Sequence, residues 1–325
     1  MLDKKIIKNY NKVFEEVRKE LGKVVIGQEE VVNGVIRSLI ANGHVLVEGI
    51  PGIAKTLIIK ALAVISGCKS TRIQFTVDLL PTDIVGITTY DEKKGFYTVR
   101  GPIFSNFVIA DEINRAPPKT QSALLEAMQE RQATIGKETY PMLNPFFVMA
   151  TQNPIESSGT YQLPQAQMDR FLFKILISYP KLEHEEKILN TNISLRKFEE
   201  YNLKSIITPK EILKLQNYNH QIFLSKELEK YIVKLVDATR NPDKYKLKLG
   251  KYIEWGCSPR ASIGLFIASK ADALMNGNNF VTPQNIKNVA YDVMRHRVLL
   301  NYEGQAEKVS TDDVVKEILS KVDVP

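Results

Sequence analysis

Cysteine is scarce. Cys68 and Cys257, the two in 325 residues, lie far apart, which excludes a disulfide framework and a zinc quartet and leaves two buried, reduced thiols as the expectation. Glycine (17) and proline (15) are too few for a disordered or collagen-like chain, and 44% hydrophobic residues suit an ordinary globular protein. No stretch approaches the ~18 apolar residues that cross a bilayer. The opening MLDKKIIKNYNKVFEEVRKEL is charged throughout, so no secretory signal is read there and a soluble, cytoplasmic protein is expected. The four histidines, His44, His184, His220 and His296, form no metal-ligand spacing, and His184-Glu185-Glu186-Lys187 lacks the second histidine of a zinc protease. The net charge of +7 is mild and contains no dense basic block, so nucleic acid is not expected as a partner. The single tryptophan, Trp255, reads as a packing residue.

The length suits two domains. In the first half, short apolar runs at 44–48, 71–75, 107–110, 146–150 and 173–177 read as buried strands, with helical patterns between them at 56–64 and 120–129. This alternation predicts an α/β fold around a parallel sheet covered on both faces. Two hairpins, 88–99 around DEKKG and 133–143 around Gly136-Lys137, interrupt it. Beyond a hinge at 178–181 the strand signal fades. Leu228, Tyr231, Ile232, Leu235 and Val236 mark one face of a helix, and Thr208-Pro209, Ser258-Pro259 and Thr282-Pro283 each place a capping hydroxyl before a first-turn proline. The expected division is therefore an α/β nucleotide-binding core over 1–179 and an all-helical domain over 180–325, with 241–253 left without an assignment.

The strongest motif is Gly49-Ile50-Pro51-Gly52-Ile53-Ala54-Lys55-Thr56, between a strand and a helix. Small residues let backbone N–H groups curl around phosphate oxygens, and the helix amino terminus adds partial positive charge. Lys55 can reach the β- and γ-phosphates, and Thr56 can place its hydroxyl on Mg²⁺. Some 55 residues on, the strand Phe107-Val108-Ile109-Ala110 ends in Asp111-Glu112. Asp111 can hold Mg²⁺ through water, and Glu112 can polarise an attacking water. Asn153, at the end of the next strand, can orient that water. Two arginines can bring positive charge to a γ-phosphate: Arg260, from the second domain, by closing the hinge over the nucleotide, and Arg170, at an edge, by reaching a neighbouring subunit.

These blocks, with DEINRAPPKTQSALLEAMQE at 111–130, ATQNPIESSGTYQLPQAQMDRF at 150–171 and GCSPRAS at 256–262, resemble the MoxR family of AAA+ ATPases, within the helix-2-insert clade. The resemblance implies a P-loop NTPase core with a helical lid, ATP and Mg²⁺ as ligands, and ATP hydrolysis. It implies a Walker A at Gly49 to Thr56, flanked by Leu57, a Walker B at Asp111 and Glu112, sensor 1 at Asn153 and sensor 2 at Arg260. Arg170 matches the arginine-finger position, Arg115 is a second candidate for a contact in trans, and Ile26 and Gly27 match the segment near the adenine. Gln165 departs from the glutamate of the family's LPEAQ block. The two hairpins match inserts that face the pore of a ring. Implied partners are copies of the chain in a homo-oligomeric ring, a hexamer, and a client protein with a von Willebrand factor A domain, remodelled or loaded with a metal cofactor. The alternatives are a magnesium-chelatase-like or nucleic-acid motor of the same clade, and a nucleotide-gated scaffold with little turnover.

Overall fold

The computed structural model describes residues 4–50, 55–93, 95–154, 159–191 and 198–325. Pro51, Gly52, Ile53 and Ala54 of the phosphate-loop motif lie outside the described residues. The first half runs α1 (Lys4–Leu21), α2 (Glu29–Ile40), β1 (Val45–Gly49), α3 (Lys55–Ile65), β2 (Ser70–Gln74), α4 (Pro81–Val85), β3 (Gly86–Asp91), β4 (Gly95–Arg100), β5 (Phe107–Asp111), α5 (Pro118–Glu130), β6 (Gln132–Ile135), β7 (Glu138–Pro141), β8 (Phe147–Gln152), α6 (Gln165–Met168) and β9 (Phe173–Ile177).

Five of these strands form one sheet in the order β2-β5-β8-β1-β9, and every pairing is parallel. Successive side chains of a strand point to opposite faces. Val45, Val47, Phe107 and Ile109 accordingly enter one core, with α1, α2 and α3, while Leu46, Val108 and Ala110 enter a second, with α4 and α5. Burial on both faces is why the central strands β5 and β8 read as nearly continuous apolar runs, whereas the edge strand β2 carries Arg72 and Gln74. Each such Val, Leu, Ile or Phe contributes about 1.5–3 kcal/mol.

Both expected hairpins form, β3 with β4 and β6 with β7. They lie side by side: Tyr140 Oη donates to Thr98 Oγ1 at 3.3 Å, and the Arg100 guanidinium stacks 4.5 Å from the Tyr140 ring centre. Gly86 at the base of β3 has φ 109°, and a Cβ there would meet the Val99 carbonyl at 2.2 Å, so no side chain fits. The outer face of β3–β4 carries Tyr90 and Phe96, edge-to-face and mostly exposed.

The second half contains α7 (Leu182–Thr191), α8 (Pro209–Gln221), α9 (Lys226–Arg240), β10 (Ile253–Trp255), α10 (Pro259–Met275), α11 (Pro283–Met294), β11 (Leu299–Leu300), α12 (Tyr302–Ala306) and α13 (Thr311–Lys321). The hydroxyls of Thr208, Ser258 and Thr282 cap α8, α10 and α11 as their sequences predict. The five apolar residues read on α9 are all buried.

One unassigned segment takes shape, and one expectation needs correction. The segment 241–253 forms two 3₁₀ turns, Pro242–Tyr245 and Leu249–Tyr252, and enters a short antiparallel ladder of β10 with β11, too brief to show an alternating pattern. Trp255 does not pack; it is 68% exposed on that ladder, and the buried aromatic there is Tyr252, whose hydroxyl bonds Glu307 at 2.5 Å.

The two halves are joined through a buried ion pair. Arg37 Nε of α2 lies 2.6 Å from Asp272 Oδ1 of α10, and Asp272 Oδ2 accepts from Asn285 at 2.8 Å and Asn288 at 3.0 Å. Truncating one partner of a buried pair strands the other charge without solvent. Asp272→Ala is therefore expected to lose about 3–5 kcal/mol of unfolding free energy, read from the urea midpoint; a midpoint unchanged from wild type would show that the pair contributes nothing.

Candidate active site

Parallel strands gather their carboxyl ends at one edge of the sheet, where helix amino termini and strand-end side chains meet. β1 ends there at Gly49, followed by Ile50, and α3 starts with Lys55, Thr56 and Leu57. Lys55 Nζ donates to the Gly49 carbonyl at 2.5 Å, across the mouth of the loop. Asp111 ends β5, two strand spacings from β1, which is about 10 Å.

The two acids are held by the strands on either side. Thr151 of β8 donates from Oγ1 to Asp111 Oδ1 at 2.5 Å and accepts from the Glu112 backbone N–H at 2.9 Å. Arg72 of β2 reaches Asp111 Oδ2 at 2.7 Å. Glu112 Oε2 accepts from Gln74 of β2 at 2.9 Å and from Arg115 at 3.1 Å. Glu112 adopts left-handed backbone angles, φ 56° and ψ 51°, uncommon for a residue with a side chain and recurrent at functional sites. Asn153, one residue beyond β8, is buried at the same edge. Hard oxygen donors on Thr56 and Asp111 are the kind that Mg²⁺ takes. A carboxylate next to them can accept a hydrogen bond and then a proton from water.

Ile26 and Gly27 reach this edge just before α2. Gly27 has φ 73°, and a Cβ there would fall 2.5 Å from Nδ1 of His184 on α7. Gln28 donates to the Ser178 carbonyl at 2.9 Å, at the expected hinge. Val25, Ile26, Val32 and His184, with Arg18, Glu29, Asn33 and Lys187, line a cavity of about 330 Å³ here.

Arg170 and Arg260 lie elsewhere. Arg170 precedes β9, and Leu172 donates to the His44 carbonyl just ahead of β1, so the pair occupies the amino ends of the strands. Arg260, on the first turn of α10, lies 3.9 Å from Asp169. Arg131, Arg170, Arg260 and Arg297 line one cavity of about 270 Å³ at this opposite edge. The expectation that Arg260 closes the hinge over its own chain's nucleotide does not fit this position. The length of β1, about 13 Å, separates the cavity from Gly49. Arg115, by contrast, pairs with its own chain's Glu112 at the carboxyl edge.

His44 stands beneath the arginine cavity as a buried structural group. Its Nδ1 accepts from Val148 N–H at 3.0 Å, so its proton is on Nε2, which donates to the Met128 carbonyl at 3.1 Å. Burial, with Arg131 adding to it, pushes the imidazole down to about 3. Unfolded, it takes a proton near pH 6.5. Stability from this group is therefore complete above pH 6.5 and is lost as pH falls towards 3. Between pH 7 and pH 5 the loss is about 2 kcal/mol. Asp292, pushed up to about 6 by burial, acts in the opposite sense. A His44→Gln variant, which keeps a donor and an acceptor without a titrating group, isolates the effect. Its melting temperature should fall less than that of wild type between pH 7 and pH 5, and equal slopes would reject the assignment.

Residues 44–173 match the model of the ATPase family associated with various cellular activities (AAA), and residues 249–318 match the AAA lid domain. The chain is 44% identical over 308 residues to Chaperone MoxR1 of Mycobacterium tuberculosis, covering 94% of this chain and 81% of that protein. It belongs to the MoxR family of AAA+ ATPases. It is also 30% identical to Protein MoxR of Paracoccus denitrificans, covering 93% of each. The crystal structure of a candidate ATPase from Cytophaga hutchinsonii superposes with a TM-score of 0.91 at 46% identity, over 98% of this chain and 97% of that one. This MoxR-family chain is thus a nucleotide-binding ATPase built on a five-stranded parallel sheet.

Several residues around the site escape sequence reasoning. Arg72 and Gln74 are two apart on β2 and so share a face; that polar alternation in STRIQ was the available signal. Asp169 and Arg297 are 128 residues apart and carry no local signal. Gln165 has a structural account: its Nε2 donates to the His296 carbonyl at 2.5 Å, a bond that the family's glutamate, as a carboxylate, could not make.

Proposed function

We propose that this ATPase works as a homo-oligomeric ring, a hexamer, in which each ATP is bound by one chain and attacked with help from arginines of the next. In this reading residues 1–179 form the nucleotide-binding core and 180–325 the lid. Ile26 and Gly27 border the adenine, and Gly49, Ile50, Pro51, Gly52, Ile53, Ala54, Lys55, Thr56 and Leu57 cradle the phosphates. Thr56 and Asp111 hold Mg²⁺, partly through water, which would neutralise phosphate charge. Glu112 accepts the proton of the attacking water, Asn153 orients that water, and Arg170 and Arg260 approach the γ-phosphate from the neighbouring chain.

The observation that carries the reading is the separation of the two sets of groups. Acids and phosphate loop sit at the carboxyl edge of the sheet, whereas Arg170 and Arg260 share a cavity at the amino edge. A head-to-tail contact between copies brings one edge against the other, and such contacts close into rings. Turnover per chain should then rise steeply with protein concentration, in step with assembly followed by analytical ultracentrifugation. Full turnover by the monomer would overturn the ring.

The work done is chaperone-like remodelling or activation of a cytoplasmic client with a von Willebrand factor A domain, including metal-cofactor insertion. The name and similarity of Chaperone MoxR1 support the chaperone-like role. The exposed Tyr90 and Phe96 of the first hairpin suit contact with such a client. ATP turnover with and without a protein carrying a von Willebrand factor A domain tests it, and an unchanged rate rejects that client.

A further inference from the structure

Arg297 follows α11 and is almost wholly buried. A guanidinium has five N–H donors in a rigid plane. Here all five are used. Nε donates to Asp169 Oδ1 at 2.7 Å, and Nη2 donates to the carbonyls of Phe171 at 2.6 Å and Asp169 at 3.3 Å. Nη1 donates to the carbonyls of Leu172 at 3.1 Å and Val293. One side chain of the second half thus grips the backbone on both sides of Arg170.

Asp169 completes the arrangement. Its second oxygen accepts from the Ser258 hydroxyl at 2.8 Å, and that hydroxyl caps α10 through the Arg260 backbone N–H at 3.2 Å. The same oxygen lies 3.9 Å from the Arg260 guanidinium. A single carboxylate therefore links the buried Arg297, the cap of the helix that carries Arg260, and the peptide that carries Arg170. Burial pushes the Arg297 guanidinium below its ordinary range, and Asp169 acts in the opposite direction.

We infer that Asp169 and Arg297 are positioning residues for hydrolysis: their pair fixes Arg170 and Arg260 relative to one another, so that both meet the same γ-phosphate on the neighbouring chain. This rests on the proposed contact between subunits. Both residues line the cavity at the amino edge of the sheet, away from the proposed nucleotide site of their own chain. A lysine at 297 keeps the charge but has three donors on a freely rotating ammonium, too few for the five bonds.

The test is Asp169→Asn, which keeps shape and removes the charge. A misplacement of about 1 Å at a reacting group costs about 10²-fold in rate. The expected result is a kcat lower by about 10²-fold with the KM for ATP within about threefold of wild type, the pattern of a lost transition-state contact. Mixed with Glu112→Gln chains, Asp169→Asn chains should regain turnover, because their own acids then meet intact arginines. Arg260→Ala chains mixed in the same way are the control. Wild-type kcat in Asp169→Asn overturns the inference, and so does recovery of Arg260→Ala without recovery of Asp169→Asn. If neither recovers, the contact between subunits fails and the inference falls with it. Should Asp169→Asn not fold, Arg297→Lys is read by the same measurements, with the same outcomes.

Discussion

A Glu112→Gln protein should bind ATP as tightly as wild type and turn it over about 10²–10⁴-fold more slowly. The substitution preserves size and the contact with Gln74, whose amide can pair with another amide. It removes the one feature that chemistry at this position needs, a carboxylate able to take a proton from water. Binding should survive because the proposed phosphate contacts belong to the 49–56 motif rather than to Glu112, and Asp111 keeps its bonds from Thr151 and Arg72. The chain should therefore accumulate in the ATP-bound state. Single-turnover kinetics with an independent affinity measurement separate the two effects. Turnover within a few-fold of wild type would show that another group activates the water.

Arg170→Ala and Arg260→Ala should leave nucleotide affinity close to wild type and lower kcat by about 10³–10⁵-fold, the scale of an arginine supplied to a phosphoryl-transfer site. Mixing either with Glu112→Gln chains should restore activity that neither has alone. In a closed ring with head-to-tail contacts, random equimolar mixing pairs an intact acid with intact arginines at about one interface in four. Recovery near a quarter of the wild-type rate is thus expected. No recovery, together with weakened ATP binding by the arginine variants, would mean that the arginines act within their own chain. Ile263, exposed on the same helix and lining the same cavity, provides a control, since Ile263→Ala removes surface without charge.

The sequence made the nucleotide edge legible for a physical reason. A parallel strand buried on both faces is apolar along its buried length, so Val45-Leu46-Val47 within 44–48, and 107–110, stand out, and polar residues follow them at the carboxyl edge. Each of the five strand readings matches a strand of the sheet to within two residues at either end. Helix starts were legible through their caps at Thr208, Ser258 and Thr282. The arginine edge was not. Arg260 has no sequence feature that says which end of the sheet its helix meets, since that depends on Asp169, Ser258 and Arg297 coming together from three distant segments. Trp255 was misread because a lone aromatic in a mostly helical stretch looks like core, and only the ladder with Leu299 turns it outward. The two acids are adjacent in sequence, but the threonine that joins them, Thr151, sits on another strand and is visible only once β5 and β8 pair.

That outward turn of Trp255 gives the molecule a built-in optical probe. It is the only tryptophan in the chain, and most of its surface faces solvent. Its indole fluorescence therefore reports on one place, three residues before the serine that caps the Arg260 helix. Light emitted there needs no label and no engineered cysteine. A neighbour arriving at, or leaving, that side of the lid would change the polarity around a single ring, so the motion of this region can be timed in a stopped-flow instrument on the unmodified protein.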